Sequence, residues 1–281
     1  MAKNSSIEWT HHTFNPWWGC AKVSPACAHC YAEAWAKRVG QNVWGGSADR
    51  RFFGDKHWAE PLKWNEEAEA IGARHRVFCA SMADVFEPRT DLDPEREKLW
   101  TLIQATSSLD WLLLTKRPGS VGRLAPWRSD WPHNVWLGTT VENQLWAERR
   151  LPLLLQHAAR RRFLSCEPLL GPIDLSKWTK NRAADLHPID WIIAGGESGP
   201  GARPMLPGWA RQLRDQCGAA DISFHFKQWG HWAPTESVSA VGVEKFWDDV
   251  EGRDVTMRAN GKKVNGRSLD GQTWDQLPVA A

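Results

Sequence analysis

Trp111-Leu112-Leu113-Leu114-Thr115-Lys116-Arg117-Pro118 joins a short apolar run to an abrupt polar turn. A brief run of large apolar residues, bounded by turn signals, is how a strand buried in a parallel sheet reads. Similar runs occur at Ile7 to Thr10, Arg76 to Ala80, Val135 to Thr139, Arg162 to Ser165, Trp191 to Ala194 and Ile222 to Phe226. Stretches of helical period lie between them. Asp93-Pro94 reads as an N-cap followed by proline at N1, after which Leu99, Leu102, Ile103 and Thr106 recur on one face. Trp209, Leu213 and Cys217 recur every fourth residue after Pro207-Gly208, and residues 61–73 suit a further helix. This alternation predicts an α/β fold, a complete or partial TIM-like (β/α) barrel.

Each run ends in a polar or glycine-rich cluster: SMAD at 81–84, TKRP at 115–118, TTVEN at 139–143, SCEP at 165–168 and GGESGPG at 195–201. In parallel barrels the C-terminal strand ends build the active site, so these clusters are the candidate site. From residue 233 the chain becomes polar and glycine-punctuated, with little helical period. We therefore expect a barrel over 1–232 and a small C-terminal appendage over 233–281 that packs on it.

The chain has 281 residues, enough for a sizeable core, and a formal charge of only +2. Such a balance gives no strong field for holding nucleic acid generically, although a local basic patch stays open. No stretch of 18 apolar residues occurs, and the first twelve residues lack a signal-like apolar run, so no membrane span and a cytoplasmic location are expected. Twenty tryptophans against one tyrosine suit packing first, since indoles fill cores and surfaces before they bind anything.

Cys20, Cys27 and Cys30 form a C-x6-C-x2-C pattern directly after the first expected strand. In a reducing compartment, clustered cysteines read as metal chemistry rather than crosslinks. Three thiolates can hold three irons of a [4Fe–4S] cluster and leave the fourth open for a small molecule, which is what radical S-adenosylmethionine chemistry requires. A zinc site completed by His12 or His29, or merely structural thiols, are the alternatives. A zinc deaminase is disfavoured because Pro25 does not directly precede Cys27 and no helical H-x-E partner is present.

The segments NPWWGC, VSPACAHCYAEAWA, CASMADVF, LLLTKRP, LGTTVEN, SCEPLLGPI, GGESGPGARP and SLDGQTWDQLP together resemble the phage- and prophage-associated three-Cys-motif family, radical-SAM-like proteins of unknown substrate. The resemblance runs from near one end of the chain to near the other and is most specific at the cysteine block. It implies a radical-SAM-type barrel, a [4Fe–4S] cluster on Cys20, Cys27 and Cys30, and S-adenosylmethionine laid across the strand ends. The first gap between cysteines is three residues longer than the commonest radical-SAM spacing. His29 stands where an aromatic or apolar residue usually precedes the third cysteine, which makes Tyr31 the candidate for packing the adenine.

By the same analogy Ser81 and Asp84 contact the methionine amino group, while Thr139, Thr140, Glu142 and Asn143 face the ribose hydroxyls. A capped turn is the plain alternative for the first pair, and an N-cap for Asn143. Lys116 and Arg117 are candidates for a carboxylate or phosphate, presented by a turn that Pro118 fixes. Gly195 and Gly196 would let the backbone approach the cofactor, with Glu197 as a polar contact and Arg203 as its counter-charge. Lys116 and Glu167 are the catalytic candidates, and a carboxylate in a closed mouth needs a partner. Cys166 is a fourth ligand, a hydrogen-atom donor or a small buried residue. Lys227, Gln228 and Trp229 are candidates for substrate contact. The resemblance makes nucleic acid a candidate substrate and a flavodoxin or ferredoxin the electron donor, for a chain expected to act as a monomer.

Overall fold

The computed structural model describes residues 2–179, 188–237 and 240–278. Its main sheet holds seven strands in chain order: β1 (His12–Thr13), β2 (His75–Cys79), β3 (Leu109–Thr115), β4 (Val135–Thr140), β5 (Arg161–Cys166), β6 (Trp191–Gly195) and β7 (Ser223–Gln228). The registers from β1 to β4 and from β5 to β7 are all parallel. This is the strand order of a partial (β/α) barrel. The first expected strand needs correction. Residues 7–10 close a turn in which Ile7 O accepts from Thr10 N–H, and the strand is the pair His12–Thr13 beside Val77 and Phe78. Thr10 also donates its hydroxyl to the carbonyls of His12 and Arg76, an alternative to ladder pairing that a short polar side chain offers.

The chain divides into two compact units, one of Met1–Ser24, Ala32–Thr139 and Gln156–Arg162, the other of Pro25–Tyr31, Thr140–Leu155 and Phe163–Ala281. Helices α1 (Tyr31–Arg38), α2 (Asp55–Trp58), α3 (Glu60–Ala70), α4 (Asp93–Ala105) and α5 (Pro118–Leu124) accompany the first unit. In α4, Leu99, Leu102 and Ile103 are buried and Thr106 follows them fully buried, so the expected face is the one that packs. The helix start differs from expectation. A 3-10 turn over Thr90–Leu92 runs straight into α4, which makes Asp93 its first residue, and Asp93 pairs with Arg96 instead of capping. The helix expected over 61–73 runs over Glu60–Ala70 and stops ahead of Gly72, whose φ of +62° no helix accommodates.

The second unit carries α6 (Gln144–Leu154), α7 (Ser176–Thr179), α8 (Pro207–Ala219) and α9 (Lys262–Asn265). Asn143 caps α6, its side-chain oxygen accepting from Trp146 N–H at 3.3 Å. In α8, Leu213 and Cys217 are buried, whereas Trp209 packs against Leu206, Val255 and Met257 together with Trp232 and Phe246. All of those partners except Leu206 belong to an antiparallel sheet of β8 (Trp232–Pro234), β9 (Val243–Asp248) and β10 (Arg253–Ala259), in the order β8-β10-β9. A hairpin of β11 (Ser268–Leu269) and β12 (Gln272–Thr273) follows. Beyond it, Trp274 O accepts from Phe226 N–H at 2.9 Å and Gln276 N–H donates to Phe224 O at 3.2 Å, so residues 274–276 run antiparallel along β7.

Packing claims the largest tryptophans: Trp17, Trp64, Trp111 and Trp191 are fully buried. Among the described residues no helix is long and apolar enough to cross a membrane.

At the start of β1 and β2 in the first unit, three histidines crowd together. His11 stacks on His75 with centroids 4.8 Å apart, and His12 Nε2 lies 3.2 Å from His75 Nδ1. Burial, with Arg76 and His75 adding repulsion, lowers His11 to about 4, and burial followed by His75 and His11 lowers His12 to about 4. Asp110 and Glu67 pull weakly the other way, and Lys3 sides with the repulsion on His12. Both rings stay neutral in the fold while the unfolded chain takes up protons near pH 6.5, so stability falls as pH drops through that value and levels off near pH 4. Allowing for solvent screening of the partly exposed His11 and for the shared field in the cluster, each contributes about 1–2 kcal/mol of this loss. Urea unfolding over this range should show it, with a smaller slope in His11→Gln. A flat profile would refute it.

Candidate functional site

The loop leading to Cys20 is fixed by its own residues. Asn15 is fully buried, its Oδ1 accepting from Met82 N–H at 2.7 Å and its Nδ2 donating to Ser81 Oγ at 3.1 Å. Ser81 therefore ties the loop to the end of β2. Gly19 has φ +117° and donates to Met82 O at 3.0 Å. A Cβ there would lie 2.3 Å from Val43 O, so the glycine before Cys20 is a steric necessity. Arg50, with a fully buried side chain, donates to the carbonyls of Val43, Gly45 and Ala48 and makes a two-pronged pair with Glu87 at 3.2 and 2.7 Å. Neither Arg50 nor Glu87 stood out in the sequence.

Asp84 anchors the next layer. Its Oδ1 accepts from Thr115 Oγ1 at 2.7 Å and Phe86 N–H at 3.0 Å, and its Oδ2 from Lys116 N–H at 3.0 Å and Arg117 Nη1 at 2.8 Å. Arg117 Nη1 also donates to Cys20 Sγ at 3.6 Å, and its Nη2 donates to Ala21 O at 2.7 Å. Of the adjacent cations after β3, it is Arg117 that addresses the cysteine, while Lys116 engages Asp84 through its backbone. Burial is the largest single influence on Arg117 and opposes its charge, but Asp84, Cys20 and Glu87 together outweigh it and hold the guanidinium protonated. Burial, reinforced by Asp84, pushes the Cys20 thiol up to about 12, with Arg117 pulling against them.

In the second unit Cys27 closes a 3-10 turn over Pro25–Cys27, and Cys30 immediately precedes α1. Two of the expected cofactor ligands hold this turn. Glu142, fully buried, accepts from Ala26 N–H at 3.3 Å and pairs with Arg150 at 2.8 Å. Arg150 donates as well to Thr140 O at 2.8 Å, and its guanidinium lies 4.1 Å from the centroid of the Trp146 ring. Glu197 makes a two-pronged pair with Arg203 at 2.9 and 2.6 Å, the counter-charge expected for it, and Arg203 Nη2 donates to Pro25 O at 3.0 Å. Tyr31 opens α1 with 59% of its surface exposed.

Glu167, at the end of β5, accepts both hydrogen bonds of a close pair with Lys227 Nζ at 2.7 and 2.8 Å, and one from Gln228 Nε2 at 3.3 Å. The partner its burial demands is thus Lys227. Gly195 and Gly196 lie where the β6–β7 register slips, and Gly196 N–H donates to Gln228 O at 3.0 Å. A Cβ on Gly196 would fall 1.9 Å from Trp229 O, so close chain approach is what this glycine serves. Thr140 is fully buried, and its hydroxyl has no hydrogen-bond partner among the described residues. Cys166 is wholly buried, as are Cys79 and Cys217, whereas Cys20, Cys27 and Cys30 are only partly so.

Three part-buried thiols within eleven residues fit a thiophilic metal centre in donor type. Among the described residues no three His, Cys, Asp or Glu side chains are grouped to hold a metal ion.

The structure is similar to a cysteine-to-serine mutant of spore photoproduct lyase, with TM-score 0.46 and 12% identity over 92% of this chain and 72% of that one. It is similar too to a double mutant of that lyase with bound AdoMet and dinucleoside spore photoproduct, with TM-score 0.44 and 12% identity over 89% and 69% of the two chains. At this identity the likeness is one of fold alone. None of the curated proteins matches the chain. A family model described as "Protein of unknown function (DUF5131)" matches residues 4–278, and the chain belongs to that family.

Proposed function

We propose that the chain is a radical S-adenosylmethionine enzyme whose Cys20, Cys27 and Cys30 hold a [4Fe–4S] cluster. The observation that carries this reading is the contact at Cys20: the first cysteine of the motif takes a guanidinium N–H from a residue at the C-terminal end of a parallel strand. A charged donor aimed at a part-buried sulfur suits a thiolate, not an idle core cysteine. A cluster held by Cys20, Cys27 and Cys30 would supply one-electron reduction of S-adenosylmethionine, with methionine as the leaving group. Glu142 and Arg203 fix the turn that carries Cys27. Glu167 and Lys227 hold a charge pair at the strand ends, where a substrate proton or carbonyl can be met.

Anaerobic reconstitution should give a brown protein with about four irons per chain. With dithionite and S-adenosylmethionine it should release 5′-deoxyadenosine, and Cys27→Ala should lose both properties. A colourless protein carrying one zinc would end the proposal.

For the substrate we favour single-stranded nucleic acid. Trp35, 41% exposed, stands edge-on to Trp18 with centroids 4.9 Å apart, two residues ahead of Cys20 in sequence. The exposed Arg51 places its guanidinium 4.6 Å from the Trp18 centroid and 5.4 Å from that of Phe53. Aromatic faces beside a fixed cation are the equipment of sequence-tolerant strand binding. Trp35→Ala combined with Arg51→Gln should weaken binding of a fluorescent single-stranded oligonucleotide by about tenfold. Unchanged affinity would remove nucleic acid from the proposal.

A further inference from the structure

Arg117 does not simply neutralise Asp84. A guanidinium serving only that purpose would present two parallel N–H groups to the carboxylate. Here the fork is split around a cysteine: Nη1 is shared between Asp84 Oδ2 at 2.8 Å and Cys20 Sγ at 3.6 Å, while Nη2 goes to Ala21 O at 2.7 Å. Its side chain is only 10% exposed, and Glu87 Oε1 stands 3.9 Å away. Asp84 cannot swing to take more of the fork, because Thr115, Phe86 and Lys116 occupy its other positions. The ion pair Arg50–Glu87 braces the chain on either side. The result is a buried positive N–H held on one sulfur of the cysteine motif.

We infer that Arg117 is a positioning residue that raises the reduction potential of the cluster bound through Cys20, by donating an N–H to that sulfur. This rests on the function proposed above. Hydrogen bonds to ligand sulfurs and buried charge are among the levers that set iron–sulfur potentials. A donor bearing positive charge favours the form carrying the extra electron, so its removal makes reduction harder. The step is the uptake of one electron from dithionite by the cluster, with no bond made or broken in the protein.

The test compares reconstituted wild type, Arg117→Lys, Arg117→Met and Asp84→Asn at one fixed dithionite poise, reading reduced cluster by electron paramagnetic resonance alongside iron content. Arg117→Met should keep its iron and show a ratio of reduced to oxidised cluster about tenfold lower, equivalent to about 59 mV for a one-electron couple. Arg117→Lys, which keeps the charge but loses the fork, should fall between, and Asp84→Asn, which removes a negative charge facing the same sulfur, should shift the ratio the opposite way. A wild-type ratio in iron-loaded Arg117→Met overturns the inference and leaves the proposed function standing. If that variant takes up no iron, Arg117→Lys decides, and a wild-type ratio there overturns the inference. Wild-type protein that takes up no iron overturns both.

Discussion

Replacing Glu142 by alanine is expected to destabilise the protein by about 3–5 kcal/mol, the usual result of removing one member of a buried ion pair. Both side chains are almost wholly buried, Glu142 at 0% and Arg150 at 3% exposure. The variant would keep a buried guanidinium deprived of its carboxylate, and the Ala26 N–H would lose its acceptor. Glu142→Gln, which keeps one acceptor oxygen at nearly the same volume, should lose about half as much. Urea unfolding gives the comparison directly, as a lower midpoint at unchanged slope. A loss under about 1 kcal/mol would mean that water or another group takes over the carboxylate's task. The local consequence falls on the cysteine turn: Glu142→Ala should also speed alkylation of Cys27 in the metal-free protein.

Gly196→Ala is expected to cost more than about 3 kcal/mol or to yield no soluble protein, because the added methyl meets backbone and not a side chain that can turn away. Its Cβ would stand 1.9 Å from Trp229 O and 2.7 Å from the Trp229 carbonyl carbon. The neighbouring Gly195 gives the control. A Cβ there would first meet the Glu167 side chain, at 3.4 Å, and Gly195→Ala should fall within about 1 kcal/mol of wild type. Thermal unfolding of the two variants side by side settles the matter, and equal melting temperatures would contradict the assignment of Gly196 to chain packing. The glycines of the GGESGPG run are therefore not one device: Gly196 admits the chain after β7, while Gly195 leaves room beside a strand-end carboxylate.

The strand ends were legible because parallel strands announce themselves as apolar runs, and five of the polar clusters chosen from them carry the groups that the structure brings into contact. What could not be read was who meets whom. Arg117 and Cys20 lie 97 positions apart and Arg50 and Glu87 37 apart, and no local pattern encodes such pairings. Two-residue β1 escaped notice since it has no apolar run, its position being set by pairing with β2. Asp93 looked like a cap because capping signals do not reveal a 3-10 turn running into the same helix. Asn143 was legible as a cap, for its side chain acts on a neighbour three residues on. The antiparallel strands β9 and β10 leave no strong period in the sequence, because half-exposed strands among glycines alternate too weakly.

The short tail after β12 has a bearing on how the protein behaves outside its fold. Residues 274–276 occupy hydrogen-bonding groups along β7 that would otherwise stand open, and Trp191 Nε1 donates to Gln276 O at 2.9 Å. An uncovered outer strand is a template on which other chains can add. Shortening the gene product to residue 271 should therefore turn a well-behaved solution into one that self-associates with rising concentration, even though every cysteine and every acid of the proposed centre is retained.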